Sequence, residues 1–205
     1  SIARISFYIH SLSVLGVFGI LFYLINTHQY QYHYVWAHSS NDLDLKFMIA
    51  CFWEGQEGSF LLWTFWHVVF GIILLRTSGK MESTVMVVFT SVQIFLTSMI
   101  LGSYLGDFKI GSSPFVLLKD VFPNAPVFAN PDFVPQDGNG LNPLLQNYWM
   151  VIHPPVLFAG FALTTIPFCF ALAGLWKQWR RNTPPLTHSL PHPLSRGEEE
   201  NNPTL

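Results

Sequence analysis

Charge is what this sequence has least of. Its 205 residues are 11% charged, against roughly 25% in an ordinary soluble domain. Half of the chain is hydrophobic and 16% is aromatic, so the deficit points to lipid as the surrounding solvent. With a net charge of -2 and no basic block, nucleic acid is not a partner, because phosphate binding needs clustered Lys and Arg. Only two cysteines are present, Cys51 and Cys169. They lack a metal-type CxxC spacing, and Cys169 lies in an apolar run where a thiol packs as a small hydrophobe, so no disulfide framework is expected. No nucleophile triad, Walker loop or HExxH motif occurs, which leaves hydrolysis and ATP use without support. A charged n-region with an h-region and a cleavage site is also missing, so no removable signal peptide is read. Ser1 stands where an initiator Met would, as expected of a chain missing its start. No useful internal repeat is visible.

What is present is a set of four apolar runs, at about 5–25, 59–75, 84–105 and 156–176. Each is long enough, or nearly so, to cross a hydrocarbon core of roughly 30 Å at about 1.5 Å per residue. The second is the shortest. Its Trp63 and Trp66 suit an interface, so it starts shallow or extends back through Phe52 and Trp53. Arg4 precedes the first run, Arg76 and Lys80 fill the hairpin after the second, and Lys177, Arg180 and Arg181 follow the fourth. Retention of Lys and Arg in the cytoplasm turns those segments and both termini inward. The connections 26–58 and 106–155, with only Lys46, Lys109 and Lys119, then face outward. The expected fold is all-α, a polytopic membrane protein with about four transmembrane helices and two long extracytoplasmic loops. Residues 1–181 read as the membrane domain. Residues 182–205, rich in Pro, Ser, His and Glu, read as a disordered or non-native tail. The second outer loop combines turn formers with apolar residues, the pattern of a functional cap rather than a tether.

Chemistry is concentrated in two places. Trp53-Glu54-Gly55-Gln56-Glu57-Gly58-Ser59 sits just before the second run, where carboxylates are costly unless they face water, protein or a ligand. Helical spacing would put Glu54 and Glu57 on one face, and the glycines would let a helix or a flat ligand approach the backbone. The same segment also reads as an ordinary helix start with acids in its first turn. His153-Pro154-Pro155 sits where a loop enters the fourth run, and proline suits a first helical turn. A rigidly presented imidazole there suits axial ligation of haem iron or proton transfer, or serves as a helix cap. Upstream, the stretch from Gly138 through Asn142 to Leu145 reads as a turn into a short amphipathic element lying flat on the membrane.

Other histidines divide by position. His10 and His67 lie within runs, where an ionisable group is either a functional candidate or a neutral ring bonded to a neighbouring helix. His28, His33 and His38 lie among Tyr30, Tyr32, Tyr34 and Trp36, an aromatic belt. His188 and His192 belong to the tail. A transporter would show broken helices, for which Pro167 is the only hint.

Three motifs, Val35-Trp36-Ala37-His38-Ser39-Ser40, Phe52-Trp53-Glu54-Gly55-Gln56-Glu57-Gly58-Ser59-Phe60-Leu61-Leu62-Trp63, and Gly140-Leu141-Asn142-Pro143-Leu144-Leu145-Gln146 leading to Ile152-His153-Pro154-Pro155, occur in one order. In that order they resemble the CcmF/NrfE/CcsA family, the membrane haem-handling proteins of cytochrome c biogenesis, and more particularly its haem-lyase subunit. The resemblance covers roughly residues 2–179. It implies haem b as cofactor or substrate and His153 as an axial ligand to the haem iron; beside it, Trp53, Glu57 and the loop around Asn142 are expected to build a supporting outer surface. It also implies a bacterial inner membrane with the motifs facing the periplasm. The implied partners are apocytochrome c, a haem carrier and thiol-reducing assembly subunits. The implied chemistry adds two Cys-x-x-Cys-His thiols across the haem vinyl groups. The family's second axial histidine and Trp-rich haem segment lie further along its chain, and its members carry one more apolar segment at the start. An N-terminal fragment, inactive by itself, is therefore expected. Glu54 departs from the family, where a small residue is common. Competing readings are a non-catalytic subunit that docks partner proteins, and a proton-coupled transporter using His10, His67 and the acidic pair.

Overall fold

Long apolar runs without charge can satisfy their backbone in lipid only as helices or closed barrels, and in this chain they form helices. A computed structural model describes residues 2–130 and 132–182. In chain order the elements are α1 (Ile2–Asn26), α2 (His33–His38), α3 (Leu45–Glu54), α4 (Gln56–Thr77), α5 (Glu82–Ser98), the hairpin β1 (Ser103–Leu105) and β2 (Phe108–Ile110), α6 (Leu118–Val121), and α7 (Tyr148–Asn182). Single 3-10 turns precede α5 and interrupt the second long connection at Pro126–Ala129 and Pro143–Leu145. α1, α4, the Gly79–Ser98 run and α7 are long and apolar enough to cross a membrane. The protein is an all-α polytopic membrane protein.

α4 is the hub. It packs against α1, α3, α5 and α7, and half of its apolar window is buried, against 22–28% for the other three spans. Apolar side chains gather in two cores along the bundle. One joins Leu21 and Ile25 of α1, Val35 of α2, Phe52 of α3, Leu61 of α4 and Leu141 of the second connection. The other, toward the opposite end, joins Phe7, Leu74, Val85, Phe89, Cys169 and Ala173. The Arg4 guanidinium pairs with the Glu82 carboxylate at that opposite end. Both cysteines are buried and free, as their sequence setting implies.

Several boundaries differ from the expectation. α4 starts three residues before the apolar run at Ser59 and is a full 22 residues long, because Gln56, Glu57 and Gly58 enter the helix rather than lead up to it. The third span stops at Ser98, not at residue 105. Gly102, at φ 63°, turns the chain, and residues 103–105 pair as β1 with β2. α7 starts at Tyr148, so His153 and both prolines lie inside a helix rather than in a turn before one. Asn147 explains the early start: its Oδ1 accepts from the Trp149 and Met150 N–H groups, at 3.0 and 3.2 Å, as an N-cap does. The flat amphipathic element is absent. Pro143–Leu145 is one 3-10 turn with Leu144 86% exposed. Asn182 closes α7, and the rest of the expected tail lies outside the described residues.

Candidate functional site

The three sequence motifs converge at one end of the bundle, around a break between two helices. α3 ends at Glu54 and α4 begins at Gln56, with Gly55 extended between them (φ -84°, ψ 164°). Such a break strands the last carbonyls of α3. Tyr34 of α2 answers them: its hydroxyl donates to the Phe52 carbonyl at 2.8 Å and accepts from the Gly55 N–H at 3.2 Å. Burial pushes that hydroxyl far above its ordinary pKa, so it remains a donor at any working pH. The Ser59 hydroxyl takes the Trp53 carbonyl at 2.7 Å. The approach that Gly55 and Gly58 allow is therefore filled by protein. A Cβ on Gly55 would sit 2.6 Å from Tyr34 Cε2 and 2.6 Å from His38 Nε2, and one on Gly58 would overlap the Phe52 carbonyl oxygen and the Tyr34 hydroxyl.

The break also separates the two carboxylates, which do not share a helical face. Glu54 Oε2 lies 3.2 Å from His38 Nδ1, outside hydrogen-bond alignment, while Glu54 Oε1 accepts from the Asn142 N–H at 3.4 Å. Glu57 points elsewhere and accepts from the Ser112 hydroxyl at 2.6 Å. Each acid thus ties α3 or α4 to the second connection. Asn142 caps its own 3-10 turn through Oδ1 and the Leu144 N–H, at 3.0 Å. The first motif joins as well: the Asn139 and Gly140 N–H groups donate to the Trp36 and Ser39 carbonyls at the end of α2, at 2.8 and 3.0 Å. Alongside, the Asn41 and Gly138 backbone N–H groups hold the Asp137 carboxyl below the usual carboxylate range, and burial pushes the Tyr30 hydroxyl up to about 12.

Trp53 is 8% exposed, and its indole Nε1 donates to the Met150 carbonyl of α7 at 2.8 Å. One turn on, the His153 ring is exposed and makes no hydrogen bond or ion pair among the described residues. Trp149 and Val156, at spacings that share a helix face with His153, are 69% and 64% exposed, and the adjacent Ile152 is 38% exposed. This is an imidazole set in an apolar strip. Such a strip fits one side of a flat macrocycle whose iron takes a nitrogen ligand. Among the described residues no three His, Cys, Asp or Glu side chains gather as a metal site.

Of the expected site residues, Trp53 bonds to α7, Glu57 to Ser112 and Asn142 to Glu54, whereas His153 stands exposed on α7. Tyr34, Ser112 and the Met150 carbonyl escaped the sequence reading. The paired glycines signalled a close approach but not what approaches. In the bundle, His10 Nε2 meets the Gln93 amide at 2.9 Å. His67, fully buried, stacks on Phe89 at 4.7 Å and faces the Thr165 hydroxyl at 3.4 Å. Both rings are bonded to neighbouring helices.

Comparison with known proteins gives the following. The family described as Cytochrome C assembly protein matches residues 53–195. Cytochrome c-type biogenesis protein CcmF of Haemophilus influenzae is 30% identical over 181 residues, covering 83% of this chain and 25% of the relative. CcmF of Escherichia coli is 28% identical over 168 residues, covering 80% and 23%. NrfE of Haemophilus influenzae is 28% identical over 172 residues, covering 82% and 24%. The chain spans about a quarter of the length of these relatives. No solved structure matches.

Proposed function

This chain belongs to the cytochrome C assembly protein family, and from that premise we propose that it serves cytochrome c maturation by holding haem b on its loop end, with His153 as one axial ligand. The observation that carries this reading is the exposed, unpartnered His153 ring on a helix face with exposed Trp149 and Val156. When bound there, the haem supplies the vinyl groups to which apocytochrome thiols add. The chain's own residues bind and orient. The apolar strip would pack against the group and exclude water from it, and the His153 imidazole would ligate its iron. Trp53, Glu57 and Asn142 keep α3, α4 and the second connection rigid below.

In this reading the loop end faces the periplasm from an inner membrane, and both membrane-domain ends face the cytoplasm. Apocytochrome c, a haem carrier and thiol-reducing assembly subunits are the partners. Titration of ferric haemin into the purified chain tests the assignment. The wild type shifts the Soret band on binding, and His153→Ala abolishes that shift. A Soret shift that survives the substitution overturns the assignment.

A further inference from the structure

α7 carries two consecutive prolines, Pro154 and Pro155, within its helical span. Neither has an N–H, so the carbonyls of Met150 and Val151, four residues earlier, lose their helical donors. A helix weakened this way bends at that point. His153 lies in the turn that lacks those two helical bonds. One stranded carbonyl is answered from another element: Trp53 Nε1 donates to Met150 O at 2.8 Å. Trp53 itself cannot drift. It sits in the last turn of α3, is 8% exposed, and has its own carbonyl bonded to the Ser59 hydroxyl. The second and third sequence motifs therefore meet in a bond that exists because Pro154 leaves an acceptor open.

We propose that Trp53 is a positioning residue, its indole N–H latching the first turns of α7 through the carbonyl that Pro154 releases and so fixing the direction of His153. The positioning role rests on the reading of His153 as a haem ligand. The latch makes Trp53 and Pro154 interdependent. In the wild type, Pro154→Ala supplies a backbone N–H that competes with the indole for Met150 O. In Trp53→Phe, which keeps the bulk and removes the donor, the same new N–H fills the acceptor that Phe leaves empty. Pro154→Ala thus harms the wild type and helps the variant. Independent packing effects would simply add.

Two readouts on the whole purified chain test this. The ultraviolet resonance Raman band of the Trp53 indole, isolated as wild type minus Trp53→Phe, is expected at the hydrogen-bonded position and to move toward the free position in Pro154→Ala. In haemin titrations Trp53→Phe weakens binding about tenfold, the lower end for groups that orient a metal's ligand, and Trp53→Phe with Pro154→Ala recovers most of the loss. A free indole band in the wild type overturns the latch, and needs no Pro154 variant that folds. Additive losses with haemin still bound overturn the positioning role alone. A wild-type chain that takes up no haemin removes the ligand reading and the positioning role with it, while the Raman band still decides whether the latch exists.

Discussion

At the scale of single residues, the site end is held by side chains that complete a broken backbone. Tyr34 is the plainest case, with one hydroxyl serving the Phe52 carbonyl and the Gly55 N–H in a buried gap. Tyr34→Phe keeps the ring and strands both groups, and each buried orphan costs about 1–3 kcal/mol. Unfolding of the purified chain in a denaturing detergent should show a loss of about 2 kcal/mol or more, and a loss below about 0.5 kcal/mol would sink the assignment. The sequence shows why such a residue was hard to see. Gly55 and Gly58 announce a close approach, but their partner lies about 20 residues earlier in an aromatic belt where any of several rings would serve. His153 was legible from its neighbours along the chain. The Met150 carbonyl was not, because a backbone acceptor opened by a proline leaves no side-chain signature of the group that fills it.

At the scale of elements, span existence followed directly from apolar runs, while span ends followed from local chemistry that hydropathy does not weigh. Asn147 as a cap moved the start of α7 to Tyr148, and Gly102 cut the third span short of residue 105. The break at Gly55 turned a single expected helical face into two helices whose acids reach different partners. α2 and α6 are smaller still, and they persist through contacts rather than propensity. The His33 N–H donates to Val116 O at 2.9 Å, the Leu118 N–H donates to Gln31 O at 2.8 Å, and the His33 ring lies 5.9 Å from Phe122. Burial lowers the His33 pKa, with Glu57 opposing and His38 reinforcing the shift. The folded ring resists protonation that the unfolded one accepts near pH 6.5, so its stabilising contribution is present above that value and is lost as pH falls from it through the lower folded value. Hydrogen exchange at the His33 and Leu118 amides, corrected for intrinsic rates, should therefore speed up between about pH 7.5 and pH 5.5. His33→Phe should remove the dependence. Equal protection at both pH values would show that α2 is held by other means.

At the scale of the whole molecule, helix length and anchors together set where His153 stands. α7 has 35 residues, about 52 Å at about 1.5 Å per residue, which exceeds a core of roughly 30 Å. It must stand clear of the hydrocarbon somewhere. Trp176, Lys177, Trp179, Arg180 and Arg181 crowd its last turns, a composition suited to one interface. Counting about 20 residues back from Trp176 puts the other boundary near Val156, so His153 lies about one turn beyond the apolar core. Arg4, Arg76 and Lys80 share the Trp176 end, and Lys46, Lys109 and Lys119 the other. That bias is the basis for the proposed outward orientation of the His153 end. Since Cys51 and Cys169 are buried, single added thiols report cleanly. A membrane-impermeant maleimide should label Leu144→Cys, at a position 86% exposed, in intact cells, and Lys177→Cys only after permeabilisation. The reverse pattern would put His153 on the cytoplasmic face, where it could not meet a periplasmic apocytochrome, and would overturn the proposed function along with the orientation.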